Sequence, residues 1–456
     1  MSKNYLMTLS AINERLPAVI DLFSGCGGLA LGFRSAGYSI GGGLDISNVA
    51  VATASYNLSW RFGEENRHQC GDITQCDGSV FKSVPASKGL VVIGGPPCQA
   101  YSQVGRSKLR SLGKDREHLN DSRGQLYNDF LRLALELDAR AIVMENVPES
   151  INYGGLNVPE HVCEILEQNG YFAKWSILNA ADYGVPQIRE RMFIIALKKS
   201  EGSEPTFPTP THRSIDGKIG VYKQRTQKLL SNKYFSPPPD ALDEALPWVT
   251  VYDALSDLPS LFPSSNSKYR LFEPTTLLKY SSPPLNDYQA TMREWTGFSM
   301  NQVSGHGYRR TPRDYRIFER MKAEDDFPAA AEIAENLLEQ ACAIEGISEA
   351  NHPERYRLLR KKIVPPYDRE KFHDKWKRLN PDKPSHTLVA HLSVDTYSHI
   401  HPWEPRGISV REAARLQSFP DDFLFQCAMS DAFKQIGNAV PPLLAYALAK
   451  NLSKHF

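Results

Sequence analysis

Ala18-Val-Ile-Asp-Leu-Phe23 runs straight into Ser24-Gly-Cys-Gly-Gly28, and Leu29, Leu31 and Phe33 follow at helical spacing. An apolar strand, a glycine turn and a helix make the opening of a nucleotide-binding βαβ unit. The turn is not G-x-G-x-x-G, so by itself it is a weak signal. It gains force from Ser39-Ile-Gly-Gly-Gly-Leu-Asp45, which reads as the second strand. That strand ends in a carboxylate about 20 residues after the glycines, where such units hold a ribose hydroxyl pair. The competing reading of Asp45 is a plain cap for a helix beginning near Ser47.

Working outward, Gly71-Asp72-Ile73 follows a third strand-like segment. Val91-Val-Ile-Gly-Gly-Pro-Pro-Cys-Gln99 then reads as a buried fourth strand leaving the sheet sharply. This places Cys98 on a stiff loop past a strand's carboxyl end, where open α/β sheets hold ligands. A small buried hydrophobe on a turn is the alternative for such a cysteine. Gln125 to Leu137 and residues 158–169 have helical spacing. Ala141-Ile-Val-Met144 is another buried strand, delivering Glu145-Asn-Val-Pro148 at its end. Two further strands, Tyr171 to Leu178 and Met192 to Leu197, flank Gly184-Val-Pro-Gln-Ile-Arg-Glu-Arg191. Strand alternation sets Arg189 and Arg191 on one face, with solvated surface as the competing reading. The expected fold class is α/β with a Rossmann-like sheet.

From about Lys199 the texture changes, with Pro, Ser and Thr crowding 203–212, 236–239 and 259–267. Regular pattern returns near Phe372 and runs to an amphipathic helix at about Leu443 to Leu452. The expected division is therefore a core made of 1–205 plus 373–456, with a smaller, loop-rich domain over 206–372. The closing helix is expected to return to the sheet and cover it. A chain of 456 residues, 41% apolar and 23% charged, is long enough for two domains of a soluble globular protein. No apolar run approaches the ~18 residues that cross a bilayer, and no secretory segment opens the chain, so a cytoplasmic location is expected. Seven scattered cysteines without paired C-x-x-C spacing give neither a disulfide framework nor a metal site. With a net charge of +1, any surface for nucleic acid must be local.

Six ordered stretches resemble the DNA (cytosine-5) methyltransferase family of bacterial restriction–modification type. They are Asp21-Leu-Phe-Ser-Gly-Cys-Gly-Gly28, Gly95-Pro-Pro-Cys-Gln99, Glu145-Asn-Val147, Gln187-x-Arg189-x-Arg191, Arg411-Glu-Ala-Ala-Arg-Leu-Gln417 and Ile436-Gly-Asn-Ala-Val-Pro-Pro442. A small departure is Ala100-Tyr101, where many relatives carry Gly-Phe. The resemblance implies an S-adenosylmethionine-dependent methyltransferase sheet and a target recognition domain at 206–372. It implies transfer of methyl to C5 of a cytosine flipped out of double-stranded DNA. C5 is a poor nucleophile until a thiolate adds at C6, so Cys98 is expected to form that bond. Glu145 would stabilise the ring at N3, Arg191 would contact the ring oxygen, and Arg189 would steady the loop or a phosphate. Phe23, Gly25, Gly28 and Leu29 would line the methionine side of the cofactor, Asp45 would take the ribose, and Asp72 with Ile73 would meet adenine. Pro97 would lie against the cofactor, and Asn438 with Val440 would complete the pocket from the C-terminus.

The loop 106–116 holds five basic residues and one acidic one, and Arg106 and Lys108 are expected to face DNA. In 309–322 six Arg or Lys stand against two acids, and 355–362 hold five against none. Arg309, Arg310 and Arg313 are the expected DNA contacts there. For 355–362 the polar face of a helix is an equal alternative. Residues 323–350 read as an acidic helix. Lys383-Pro-Ser-His-Thr387 joins the two parts, with His386 structural. The expected partners are duplex DNA and a separate, unbound restriction endonuclease, and the expected state is a monomer. Methylation of a tRNA cytosine by the same chemistry is the alternative enzyme reading, and a non-catalytic DNA-binding regulator is the alternative outside enzymes. A cysteine hydrolase would require a histidine beside the thiol, and the converging motifs contain none.

Overall fold

The computed structural model describes residues 12–97, 126–152, 155–215, 226–262, 273–367 and 375–456. Seven strands form one sheet: β1 (Ala18–Leu22), β2 (Ile40–Asp45), β3 (His68–Cys70), β4 (Leu90–Gly94), β5 (Ala141–Asn146), β6 (Tyr171–Asn179) and β7 (Glu190–Lys198). Their order is β3-β2-β1-β4-β5-β7-β6. The pairs β2–β3, β1–β2, β1–β4 and β4–β5 are parallel, and β7 is antiparallel to both β5 and β6.

The order reverses between β1 and β4, the place where open α/β sheets gather ligands at the strands' carboxyl ends. Leu22 and Gly94 are register partners there, so the glycine turn after β1 and the Gly-Gly-Pro-Pro turn after β4 leave the sheet side by side. Gly94 admits no side chain, because a Cβ would stand 1.9 Å from the Leu22 carbonyl oxygen.

Alternation divides the strands between two cores. Val19, Val91, Ile93, Val143, Phe193 and Ile195 face one cluster, while Ile20, Val92, Ile142, Met144 and Ile194 face the other. The second face is covered by α3 (Leu126–Glu136) and α4 (Val158–Gln168), through Phe130, Leu133, Val162 and Leu166. The first is covered by α1 (Gly28–Ser35), which succeeds β1, and by the chain's end; α2 (Asn48–Leu58) follows β2. The expected closing helix is α9 (Pro442–Leu452), and it packs so closely on α1 that a Cβ at Gly32 would meet Ala445 Cβ at 2.4 Å. The backbones touch because the side chain is missing.

The first cluster also takes in Val251, Leu255, Met292, Trp295 and Val303 from the proline-rich stretch. Helix α7 (Val410–Leu416) ties that stretch down with two wholly buried arginines. Arg411 donates to the carbonyls of Ser304, Pro420 and Phe423, and Arg415 pairs with Asp421 at 2.6 Å and Asp257 at 3.1 Å. Each buried cation is matched by acceptors, the condition under which a charge is tolerated away from water.

A separate aromatic cluster joins Ile317, Phe318 and Phe327 to Trp376 and Ile400. It leads into a helical hairpin, α5 (Phe327–Glu345) and α6 (Pro353–Ile363). The helix expected over 323–350 is shorter at both ends, since Gly346 at φ 66° closes it. The basic run 355–362 lies within α6, which buries Leu359. Arg355 and Arg360 are spent on Glu345 and Glu335 of α5, each through two hydrogen bonds of 2.6–2.8 Å. No helix among the described residues is long and apolar enough to cross a membrane.

Candidate active site

The turn after β1 is built on left-handed backbone, with Phe23 at φ 62°, Gly25 at φ 51° and Gly27 at φ 88°. Glycine is the residue that adopts this without penalty, and Phe23 is held there against its preference. Asp45, at the end of β2, clamps the turn: its carboxylate accepts from Gly25 N and from Ser47 N, both at 2.8 Å. The cap of α2 is Ser47, whose hydroxyl accepts from Ala50 N, so Asp45 is not a helix cap. Its oxygens retain lone pairs toward the solvent side of the switch point.

Gly28 opens α1 beneath the returning C-terminus, and a Cβ on it would stand 2.6 Å from the Val440 carbonyl. Val440 is buried and Asn438 is exposed at the end of α8 (Met429–Asn438). Leu29 and Ile73 are buried, and Asp72 turns back to accept from Thr74 N at 3.0 Å and Thr74 Oγ1 at 2.9 Å. Two polar atoms beside the turn, Asp21 Oδ2 and Ser24 Oγ, are buried with no partner among the described residues. Nothing lies within 4 Å of where a Gly25 Cβ would stand. Open space against a helix N-terminus, a carboxylate with free lone pairs and orphaned polar groups fit a polar nucleoside cofactor.

One strand along, Glu145 ends β5. Its Oε1 lies 3.0 Å from Arg191 Nε, and its Oε2 faces Gly95, where a Cβ would be 2.8 Å away. Burial pushes the Glu145 carboxyl above its ordinary range, and the Arg191 and Arg189 guanidiniums pull it back. Asn146 adds a link that was not singled out from the sequence: its Nδ2 donates to the Pro96 carbonyl at 3.3 Å. The end of β5 thereby holds the rigid turn that carries Pro97 toward Cys98. Cys98, Arg106 and Lys108 lie outside the described residues.

Arg189 and Arg191 bind different partners. Arg189 sits one residue ahead of β7, is 1% exposed, and donates to the carbonyls of Leu388, Gly437 and Ala439. It ties the backbone at 388 and 437–439 to the start of β7, whereas Arg191 pairs with Glu145. Among the expected DNA contacts, Arg309 donates to Ser393 O at 2.9 Å and Arg313 is paired with Asp314 at 2.5 Å. Arg310 is exposed.

Such a site defines a nucleotide-cofactor α/β enzyme with a buried carboxylate–guanidinium pair beside the cofactor cleft. The family model of the C-5 cytosine-specific DNA methylases matches residues 18–454. The chain is 51% identical, over 99% of its length and 98% of the relative's, to M.OihORF3336P of Oceanobacillus iheyensis, provisionally named a type II methyltransferase. It is 32% identical, over 95% of its length and 98% of the relative's, to the type II methyltransferase M.AgeI of Thalassovita gelatinovora. A crystal structure from E. coli, provisionally named a prophage-encoded DNA modification methyltransferase, shares the fold. Its TM-score is 0.62 at 23% identity, covering 96% of this chain and 99% of that one. The chain belongs to the C-5 cytosine-specific DNA methylases and is a DNA (cytosine-5) methyltransferase. Its methyl donor is S-adenosylmethionine.

Proposed function

We propose that this enzyme methylates one cytosine within a defined duplex sequence, as the modification half of a restriction–modification pair, with Cys98 as nucleophile. The observation that carries the reading is the Glu145–Arg191 pair, placed by Asn146 and Gly95 against the turn that leads to Cys98. S-adenosylmethionine supplies an electrophilic methyl group at the switch point. Asp45 would hold the ribose, Asp72 and Ile73 would border the adenine, and Phe23, Gly25, Gly28, Leu29, Pro97, Asn438 and Val440 would enclose the remainder.

The thiolate of Cys98 forms a bond to C6, and the C5–C6 π electrons become available at C5 for the new bond to methyl; the methyl–sulfonium bond would break with its electrons left on sulfur, so that S-adenosylhomocysteine is the leaving group. Glu145, whose carboxyl burial pushes above its ordinary range, donates to N3 as charge builds there, and Arg191 faces the ring oxygen. The C5 proton then leaves to water, its electrons restore the double bond, the Sγ–C6 bond breaks with its electrons returning to the Cys98 thiolate, and the N3 proton returns to Glu145. Extruding the base from the stack demands about a few kcal/mol, which phosphate contacts by the protein offset.

Sequence choice is assigned to 206–372, part of which, around Phe318 and Phe327, has an aromatic cluster separate from the two sheet cores. Phosphate contact is assigned to Arg106, Lys108 and Arg310, and the committed partners of Arg309 and Arg313 leave them a smaller share. The proposed state is a cytoplasmic monomer whose cognate endonuclease acts separately. Duplex DNA carrying 5-fluorocytosine at the target, which cannot release its C5 substituent as a proton, tests the chemistry. A covalent adduct is expected with the native chain and none with Cys98→Ser; an active preparation that traps nothing would overturn the mechanism. Bisulfite sequencing of DNA from expressing cells gives the target.

A further inference from the structure

Arg189 is 1% exposed and its guanidinium donates to Leu388 O at 2.7 Å, Gly437 O at 3.1 Å and Ala439 O at 3.1 Å. A second side chain, Gln417, donates to Ala439 O at 2.7 Å and to Ile436 O at 2.9 Å. Gln187 closes the frame by donating to Gln417 and Leu416 O and accepting from Leu388 N. The frame leaves little slack: a Cβ at Gly437 would lie 2.4 Å from the Val389 carbonyl carbon. The carbonyls held by Arg189 run directly into Val440, whose own carbonyl covers Gly28 at the start of α1. Two residues beyond Arg189, Arg191 holds Glu145. The backbone between them is pinned as well, since Arg189 N donates to Asn179 Oδ1 at 3.2 Å.

We propose that Arg189 is a positioning residue that couples the wall of the cofactor cleft to the Glu145–Arg191 pair, so that cofactor and target cytosine bind cooperatively. The proposal rests on the site reading above. A charged donor gripping two carbonyls of one turn has no soft response to displacement. When a bound cofactor fixes Ala439–Val440, the start of β7 is fixed with it, and Arg191 meets the extruded base already oriented. Coupling of this kind is reciprocal: the cytosine must tighten cofactor binding by the factor that the cofactor tightens DNA binding.

The test is titration of the full chain with S-adenosylhomocysteine, with and without saturating target duplex. The native enzyme should bind it more tightly on DNA, by a factor within the usual range of about 5–150. Arg189→Lys should bring that factor close to one, and should raise KM for S-adenosylmethionine by a larger factor than it lowers kcat. An unchanged factor in the variant, or no coupling in the native enzyme, would overturn the proposal. Should Arg189→Lys fail to fold, hydrogen exchange on the native chain decides. S-adenosylhomocysteine alone should protect 187–191 and 145–147 together with 437–441; protection confined to 437–441 would refute coupling through Arg189. Failure of the site reading looks different, because Asp45→Asn would then leave S-adenosylhomocysteine affinity untouched.

Discussion

Glu145 Oε2 occupies the space that a side chain at Gly95 would need, 2.8 Å from where its Cβ would stand. The glycine after β4 therefore serves the carboxylate at the end of β5. Gly95→Ala must push Glu145 off its Arg191 contact or displace the Pro96–Pro97 turn. A displacement of about 1 Å at a reacting centre costs about 10²-fold in rate. Turnover of Gly95→Ala should fall on that scale while the protein stays folded and binds S-adenosylhomocysteine normally. Turnover near the native value would show that the carboxylate moves aside freely.

The Glu145–Arg191 pair sets a pH dependence whose direction is fixed. Removing a positive neighbour disfavours the ionised carboxyl, so Arg191→Gln raises the pKa of Glu145 beyond what burial already does. The limb of the residual kcat profile that belongs to Glu145 should move to higher pH. Glu145→Gln should remove that limb and lower kcat by about 10²–10⁴-fold. A limb that keeps its position in Arg191→Gln would mean that the two groups are not coupled.

The sheet was legible because β1, β4 and β5 are continuous apolar runs, each ending in a glycine turn or a carboxylate, and burial on both faces demands that pattern. The location of the candidate site was legible for the same reason, since strand ends bring Asp45, Gly95 and Glu145 to one edge. The partners of Arg189 were not legible, because spacing of two residues speaks only of strand faces and not of what a side chain meets. Its partners lie about 200 and 250 positions away, beyond the reach of any periodicity. Arg411 and Arg415 look like an ordinary charged helix face in sequence. Only the fold shows Asp257 and Ser304 brought against them. In α6, Arg355 and Arg360 were ambiguous until α5 supplied the acids that occupy them.

Acid should unfold this protein through its histidines as well as its carboxylates. Burial lowers His68 and His386 from 6.5 to about 4, and His399, stacked 4.0 Å from His386, is lowered well below the ordinary value. The folded chain therefore keeps these imidazoles neutral where the unfolded chain would protonate them. Between pH 6.5 and about 4 the unfolded state binds more protons, so stability falls as pH falls through that window. Each histidine contributes at most about 1.4 kcal/mol per pH unit. Urea midpoints measured at pH 7.5 and 5.5 should differ accordingly, and His386→Gln should shrink the difference. A His386→Gln variant with the native pH slope would show that this imidazole is protonated in the folded chain.

The basic surface yields the sharpest contrast between neighbouring arginines. Arg360 is held by Glu335 and Arg355 by Glu345, so their charges are cancelled within the hairpin, whereas Arg310 is exposed. An exposed ion pair contributes about 0–1 kcal/mol, so breaking either should barely move the unfolding transition. Each phosphate contact adds about 0.9 to the slope of log K against log salt on duplex DNA. Arg310→Ala should lower that slope by about 1 and weaken specific and non-specific DNA alike. Arg355→Ala and Arg360→Ala should leave both slope and affinity in place. A loss of affinity in Arg360→Ala equal to that in Arg310→Ala would place α6 itself on the DNA and reverse the assignment.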